Sequence, residues 1–152
     1  MSEFLERNLF KTIVEKTPLV SIDFVIENKS GHILLGKRLN LPAKNYWFVP
    51  GGRIRKDETI SSAFTRLALD ELNVHAAFSS ANFIGPYEHF YTDNFSGDDF
   101  STHYVVLAYK LNLDVDLSQL PNKQHDNYNW FEIDQLLSSP DVHENTKNYF
   151  LK

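Results

Sequence analysis

Cysteine is absent from the 152 residues, which removes disulfides, thiolate nucleophiles and sulfur-based zinc sites together. Any metal or catalytic chemistry is left to oxygen and imidazole groups. The six histidines have no close zinc spacing, so no structural zinc is expected. Long apolar runs are missing too: the longest are strand-sized, such as Tyr104 to Tyr109, against roughly 20 residues for a membrane helix. No membrane span and no membrane partner are expected. Residues Met1 to Arg7 lack the basic start, apolar centre and small-residue cleavage site of a secretory signal, and the expectation is a cytoplasmic protein. Positive charge is scarce, with 15 Lys and Arg against 20 Asp and Glu and a net charge of −5. That balance argues against a nucleic-acid partner, because phosphate backbones are bound by clustered Lys and Arg. A small anionic substrate would need its own basic, metal-assisted pocket.

What is present is an ordinary globular composition, 42% hydrophobic and 23% charged, at a length that suits one core. Repeats, low-complexity tracts and Pro/Ser-rich linkers are not found, so one domain over residues 1–152 is expected. Mixed helical spacing of apolar residues predicts a short helix or arm over Glu3 to Glu15, ended by Pro18. Leu19 to Glu27 alternates as a strand. A turn at Asn28 to Gly31 leads to a second strand, His32 to Gly36, and Tyr46 to Val49 is a short strand that stops at Pro50-Gly51-Gly52. Ile60, Ala63, Phe64, Leu67 and Glu71 then recur three or four apart, which predicts a helix over Glu58 to Leu72. Asp57 or Thr59 can cap its start and Asn73 its end. Asn82 to Tyr91 and Ser101 to Leu113 read as a long hairpin. Its acidic tip, Asp93 to Asp99, lacks the ligand order of a calcium loop and reads as a solvated turn. A strand at Tyr128 to Ile133 and short helices at Asp134 to Ser138 and His143 to Leu151 complete an α+β sandwich on a mixed β-sheet.

The densest chemical signal is a glycine turn followed by an acidic helix: Gly52, Glu58, Arg66, Asp70 and Glu71. The stretch Gly52 to Val74 resembles the Nudix box. Gly52, Glu58, Arg66, Ala68, Glu71 and Val74 fit its spacing, and Asp70 replaces its penultimate Glu conservatively. Two positions depart: Leu67 stands where the box has Glu directly after Arg, and Asn73 where it has Gly. One metal-binding carboxylate is therefore missing. This altered box is similar to that of the GDP-mannose mannosyl hydrolase branch of the Nudix families. Further blocks carry the resemblance along the chain, among them Thr17-Pro-Leu-Val-Ser-Ile-Asp23, Leu35-Gly-Lys-Arg38, Tyr46-Trp-Phe-Val-Pro-Gly-Gly-Arg53, His89-Phe-Tyr91, Asp93-Asn-Phe-Ser-Gly97, Thr102-His-Tyr-Val-Val106 and Gln124-His-Asp126.

The resemblance implies a Nudix-type α/β/α sandwich and hydrolysis of GDP-mannose, with GDP-glucose as a second substrate. Water would attack the anomeric carbon with inversion, and GDP would leave with Mg2+, for which Mn2+ can substitute. It implies metal ligation by the Gly51 carbonyl, Glu71 and Gln124, with His125 as general base in a flexible loop. Arg38 and Arg53 would meet the diphosphate, as planar guanidinium suits phosphate. Asp23 would orient sugar or water, with His89 and Tyr104 hydrogen-bonding to mannose or phosphate. Phe4, Leu5 and Phe10 would form a platform for guanine, reaching across a homodimer. Taken singly, these residues have plainer readings: Glu71 a helix-surface charge, Asp23 an edge-strand charge, His89 a core histidine, Tyr104 a sheet aromatic, Phe10 a core contact. The competing activity is a pyrophosphohydrolase cutting the diphosphate of a nucleotide sugar or nucleoside triphosphate. A binding module without turnover is the third reading, against which His125 beside Gln124 argues.

Overall fold

The computed structural model describes residues 5–122 and 125–151, His125 and Asp126 by their backbone alone. Helix α1 spans Arg7–Lys16, and Glu6 caps it by accepting from the amides of Asn8 and Leu9 at 2.9 and 3.1 Å. Strand β1, Leu19–Glu27, is the centre of the molecule. Strands β2 (Ile33–Arg38), β3 (Trp47–Phe48), β4 (Gly51–Arg53), β5 (Asn82–Tyr91), β6 (Thr102–Asn112) and β7 (His125–Phe131) join it in one seven-stranded sheet. The main path runs β3-β2-β1-β6-β5, with β4 also paired to β1 and β7 to β2. Only the β1–β6 pair is parallel among the strand pairings of the described residues, which makes the sheet mixed, as expected.

Helix α2, Ile60–Leu72, packs on one face of the sheet. Its buried Phe64, Leu67 and Ala68 meet Ile22, Phe24 and Ile26 of β1, and the Phe24 and Phe64 rings lie edge to face at 5.1 Å. The expected caps hold. Thr59 accepts from the Ser62 amide at 3.0 Å, and Asn73 adopts the left-handed conformation, φ 56° and ψ 37°. On the opposite face a second apolar cluster joins Val25, Leu35 and Val49 to Leu136 of α3 (Ile133–Ser138), Val142, and Tyr149 just after α4 (Glu144–Lys147). Helical layers on both faces of a mixed sheet are the α/β/α sandwich. No helix among the described residues is long and apolar enough to cross a membrane.

Four local expectations change. The Gly51–Arg53 segment is a strand: glycine has little strand preference, yet Ile22 and Asp23 pair with Gly52 and Gly51. β1 is flanked on both sides, so Asp23 is no edge-strand charge. β7 begins at His125, whose backbone pairs with Arg38 across a register shift at Lys37/Arg38; the segment expected as a flexible loop is thus a strand from His125 onward. Finally, the hairpin tip is not simply solvated. Asn94 is fully buried and ties the turn together through the Phe100 carbonyl at 2.8 Å and the Ser96 amide at 2.8 Å. Phe95 beside it meets Phe10 of α1 at 4.9 Å.

Candidate active site

The alternation of β1 sends Ile22 and Phe24 toward α2 and Ser21 and Asp23 toward the other face, where a cleft of about 650 Å³ opens. A cleft of that size accommodates a small-molecule ligand. Asp23, Arg38, Gly51, Arg53, His89 and Tyr104 all line it, and Phe10 joins them. The sequence scatters these residues over five strands and a helix; the β1–β6 and β5–β6 ladders bring Tyr104 opposite both Leu19 and His89. Leu5 is 39% exposed and lies outside the cleft lining. Phe4 and Gln124 lie outside the described residues, as does the His125 side chain; the His125 backbone sits opposite Arg38.

Two guanidinium groups enter the cleft. Arg38 Nε donates to the Pro42 carbonyl at 2.9 Å and its guanidinium lies 5.9 Å from the Phe48 ring centre. Arg53 lies 5.2 Å over Phe10. Burial pulls the Arg53 pKa below its ordinary value, with Tyr104 and Glu58 opposing the shift. The turn carrying Arg53 is clamped from behind. Arg66 Nε and Nη2 donate to the two oxygens of Glu58 at 2.7 and 2.8 Å, and Nη2 also reaches the Arg53 carbonyl at 2.9 Å. Glu58 further accepts from the Arg55 amide at 2.7 Å. The fork-to-carboxylate pair, together with that amide, holds the Glu58 carboxyl below the usual range. Glu58 and Arg66 are thus committed to shaping the turn.

Asp23 Oδ2 accepts from the Tyr149 hydroxyl at 2.5 Å, and that hydroxyl lies 3.2 Å from His89 Nε2. Loss of water raises the Asp23 pKa to about 7, against the pull of Tyr149 and Arg38. His89 is 4% exposed, and burial followed by nearby His143 lowers its pKa to about 4, so its ring is neutral at physiological pH. Burial keeps Tyr104, Tyr91 and Tyr149 protonated by raising each pKa. Around Asp23 the cleft therefore offers neutral hydroxyl and imidazole groups beside a carboxyl that ionises near neutrality.

A Cβ at Gly51 would lie 2.3 Å from Asp23 Oδ1, and one at Gly52 would lie 2.4 Å from Leu67 Cδ2 and 3.7 Å from Glu71 Oε1. Both glycines are demanded by close approach. The turn backbone is thus sandwiched between Asp23 on the cleft side and Leu67 with Glu71 on the helix side. Among the described residues no group of three His, Cys, Asp or Glu side chains could hold a metal ion. Leu67, 2% exposed, presents methyl groups where a further carboxylate would stand. One carboxylate beside a glycine backbone fits a single hard cation that keeps several waters, and it does not fit a multi-ion cluster.

Sequence reasoning did not find Tyr149, Tyr91 or His143, and it missed the part of Phe95 in the cleft wall. Phe95 did carry a signal, in the Asp93 to Gly97 block. Tyr149 had none: it is an aromatic in an apolar terminal segment, brought to Asp23 only by the tertiary fold.

A mixed sheet between helical layers, with a glycine strand feeding a helix that ends in Asp70-Glu71 beside an arginine-bearing cleft, defines a Nudix-type hydrolase domain. The family model described as NUDIX domain matches residues 17–152, and the chain belongs to that family. It is accordingly an enzyme of the Nudix hydrolase class, whose members generally use divalent metal ions such as Mg2+. The chain is similar to the low-salt glycan biosynthesis protein Agl8 of Haloferax volcanii, 42% identical over 81% of this chain and 76% of that protein. Among solved structures, the MutT protein of Methanosarcina mazei superposes with a TM-score of 0.70 at 17% identity, covering 89% of this chain and 92% of the other. The NUDIX domain of Shewanella oneidensis NrtR, complexed with ADP ribose, gives 0.66 at 16% identity over 96% of each chain. At these identities the structural matches speak for the fold.

Proposed function

We propose that the protein hydrolyses GDP-mannose, and GDP-glucose as a second substrate, to GDP and free sugar by attack of water at the anomeric carbon with inversion. The observation that carries this reading is Leu67 packed against Gly52 beside Glu71. It thins the metal-binding carboxylates on which attack at phosphorus relies, and it leaves enough to hold a diphosphate as a leaving group. Two further features support it. Arg38 and Arg53 bring two positive charges into the cleft, placed to oppose the charge that develops on departing GDP. The glycan-related name of the Haloferax volcanii relative agrees with a nucleotide-sugar substrate.

Each residue then has a task. Gly51, Glu71 and Gln124 would hold Mg2+, which supplies charge neutralisation at the diphosphate when bound. His125 takes the proton of the attacking water as its oxygen bonds to the anomeric carbon. The bond from that carbon to the diphosphate oxygen breaks, and its electron pair leaves with GDP. Asp23 orients the sugar or the water, while His89 and Tyr104 donate to mannose or phosphate oxygens. Phe10, with Phe4 and Leu5, supports guanine, and a homodimer brings a second copy of this arm close. Inversion places water and leaving group on opposite faces of the ring, as in inverting glycosidases.

The test is hydrolysis of GDP-mannose with Mg2+ in ¹⁸O-labelled water. GDP and labelled mannose are expected. GMP and mannose 1-phosphate, with label on phosphate, would overturn the reading in favour of pyrophosphate cleavage.

A further inference from the structure

We propose that Tyr149 is a positioning residue that acts through Asp23, its hydroxyl receiving the Nε2 proton of His89 and donating its own to Asp23 Oδ2. The inference rests on the reading of Asp23 as the group that orients sugar or water.

The geometry has one consistent direction for an ionised Asp23. A phenol carries a single proton, and the shorter of its two contacts, 2.5 Å to Asp23 Oδ2, takes it. The 3.2 Å contact to His89 must then be an Nε2–H donating to the Tyr149 oxygen. His89 is neutral and holds one ring proton, so this chain fixes its tautomer.

The consequence falls on the carboxylate. An aspartate χ2 torsion is broad by itself. Tyr149 pins Oδ2, which leaves Oδ1 directed at the Gly51 backbone, where a Cβ would lie 2.3 Å away. The second carboxyl oxygen is thereby aimed at the glycine turn of the cleft. Tyr149 is itself held firmly. It is 8% exposed, and its ring meets Tyr87 edge to face at 4.7 Å and 85°. The segment that carries it is strapped to the sheet. The Trp47 amide donates to the Asp141 carbonyl at 2.8 Å, the His143 amide to the Trp47 carbonyl at 3.2 Å, and the Val49 amide to Thr146 Oγ1 at 3.3 Å. The C-terminal segment is in this way a strut that ends on Asp23, 126 residues away in sequence.

A double-mutant cycle on the full chain tests this. Tyr149→Phe, Asp23→Ala and the pair are compared for hydrolysis of GDP-mannose with Mg2+, with thermal melting to show that each variant is folded. Tyr149→Phe is expected to lower kcat by about 10- to 100-fold with KM changed by less than ~2-fold, the scale of a reactive group displaced by about 1 Å. In the Asp23→Ala background, where no acceptor remains for the Tyr149 hydroxyl, the same change should have almost no further effect. An equal loss in both backgrounds, or a KM effect without a kcat effect, would reduce Tyr149 to packing and overturn the proposal. The ¹⁵N spectrum of His89 at pH 8 gives a readout independent of turnover: protonated Nε2 is expected, and an Nδ1–H tautomer would refute the relay. If the wild-type enzyme forms GMP or nothing, the substrate reading fails by itself, and the tautomer still decides the relay.

Discussion

β1 has two faces that do opposite work. Toward α2, Ile22, Phe24 and Ile26 lie fully buried among Phe64, Leu67 and Ala68, and the layer is apolar throughout. Toward the cleft, the same strand presents Ser21 and Asp23, surrounded by two arginines, a buried histidine and three tyrosines whose protonation burial has displaced. One face stabilises the fold by removing apolar surface from water. The other holds polar groups that burial disfavours unless each is hydrogen-bonded. In this chain stability and chemistry are separated by one residue step along a strand.

The largest effect that would sharpen the contrast is on the helix side. Phe64→Ala should cost about 3–5 kcal/mol of unfolding free energy by leaving a cavity, with kcat of the remaining folded protein nearly unchanged; denaturant titration and steady-state kinetics together check it. Arg53→Ala, on the cleft side, should reverse the pattern, lowering kcat about 10²–10³-fold while the melting temperature stays close to that of the wild type. A cleft-side change can even stabilise. Because the Asp23 pKa is raised from 3.8 to about 7, the folded state holds a proton that the unfolded state has released. The contribution of Asp23 to wild-type stability is therefore full below about pH 4 and lost as pH rises through about 7. Asp23→Asn, which keeps an acceptor for Tyr149, should be more stable than wild type at pH 8, by on the order of 2 kcal/mol. That difference should close near pH 4 in unfolding curves; a constant offset would break the assignment. The smallest expected effect is Thr59→Ala, about 1 kcal/mol from the lost helix cap, with no kinetic consequence at saturating substrate.

Much of this division was legible in the sequence. The period-two alternation of Leu19 to Glu27 and the helical spacing of Ile60 to Glu71 identified both partners of the apolar layer. Thr59 and Asn73 marked the ends of α2 through local chemistry. On the cleft side, Asp23, Arg38, Arg53, His89 and Tyr104 were named, and they converge on one cavity. Other features were hidden because their signal is not local. Gly51–Arg53 is a strand only by virtue of pairing with β1, and glycines carry no side-chain pattern to announce that. The tip at Asn94 is polar by composition, yet its side chain is spent inside its own turn. Tyr149 is invisible to any window because its partner is an aspartate near the other end of the chain.

The contact between Phe95 at the hairpin tip and Phe10 in α1 is flanked by Arg7 at 5.1 Å from Phe95 and by Arg53 at 5.2 Å from Phe10. In α1 only Val14 is fully buried, so this ring contact ties the helix to the hairpin tip. Their amides are therefore expected to exchange with solvent deuterium at a common rate, which hydrogen exchange checks. A molecule lying in the cleft against Phe10 would slow that exchange in both segments at once, which makes the hairpin tip a reporter of occupancy.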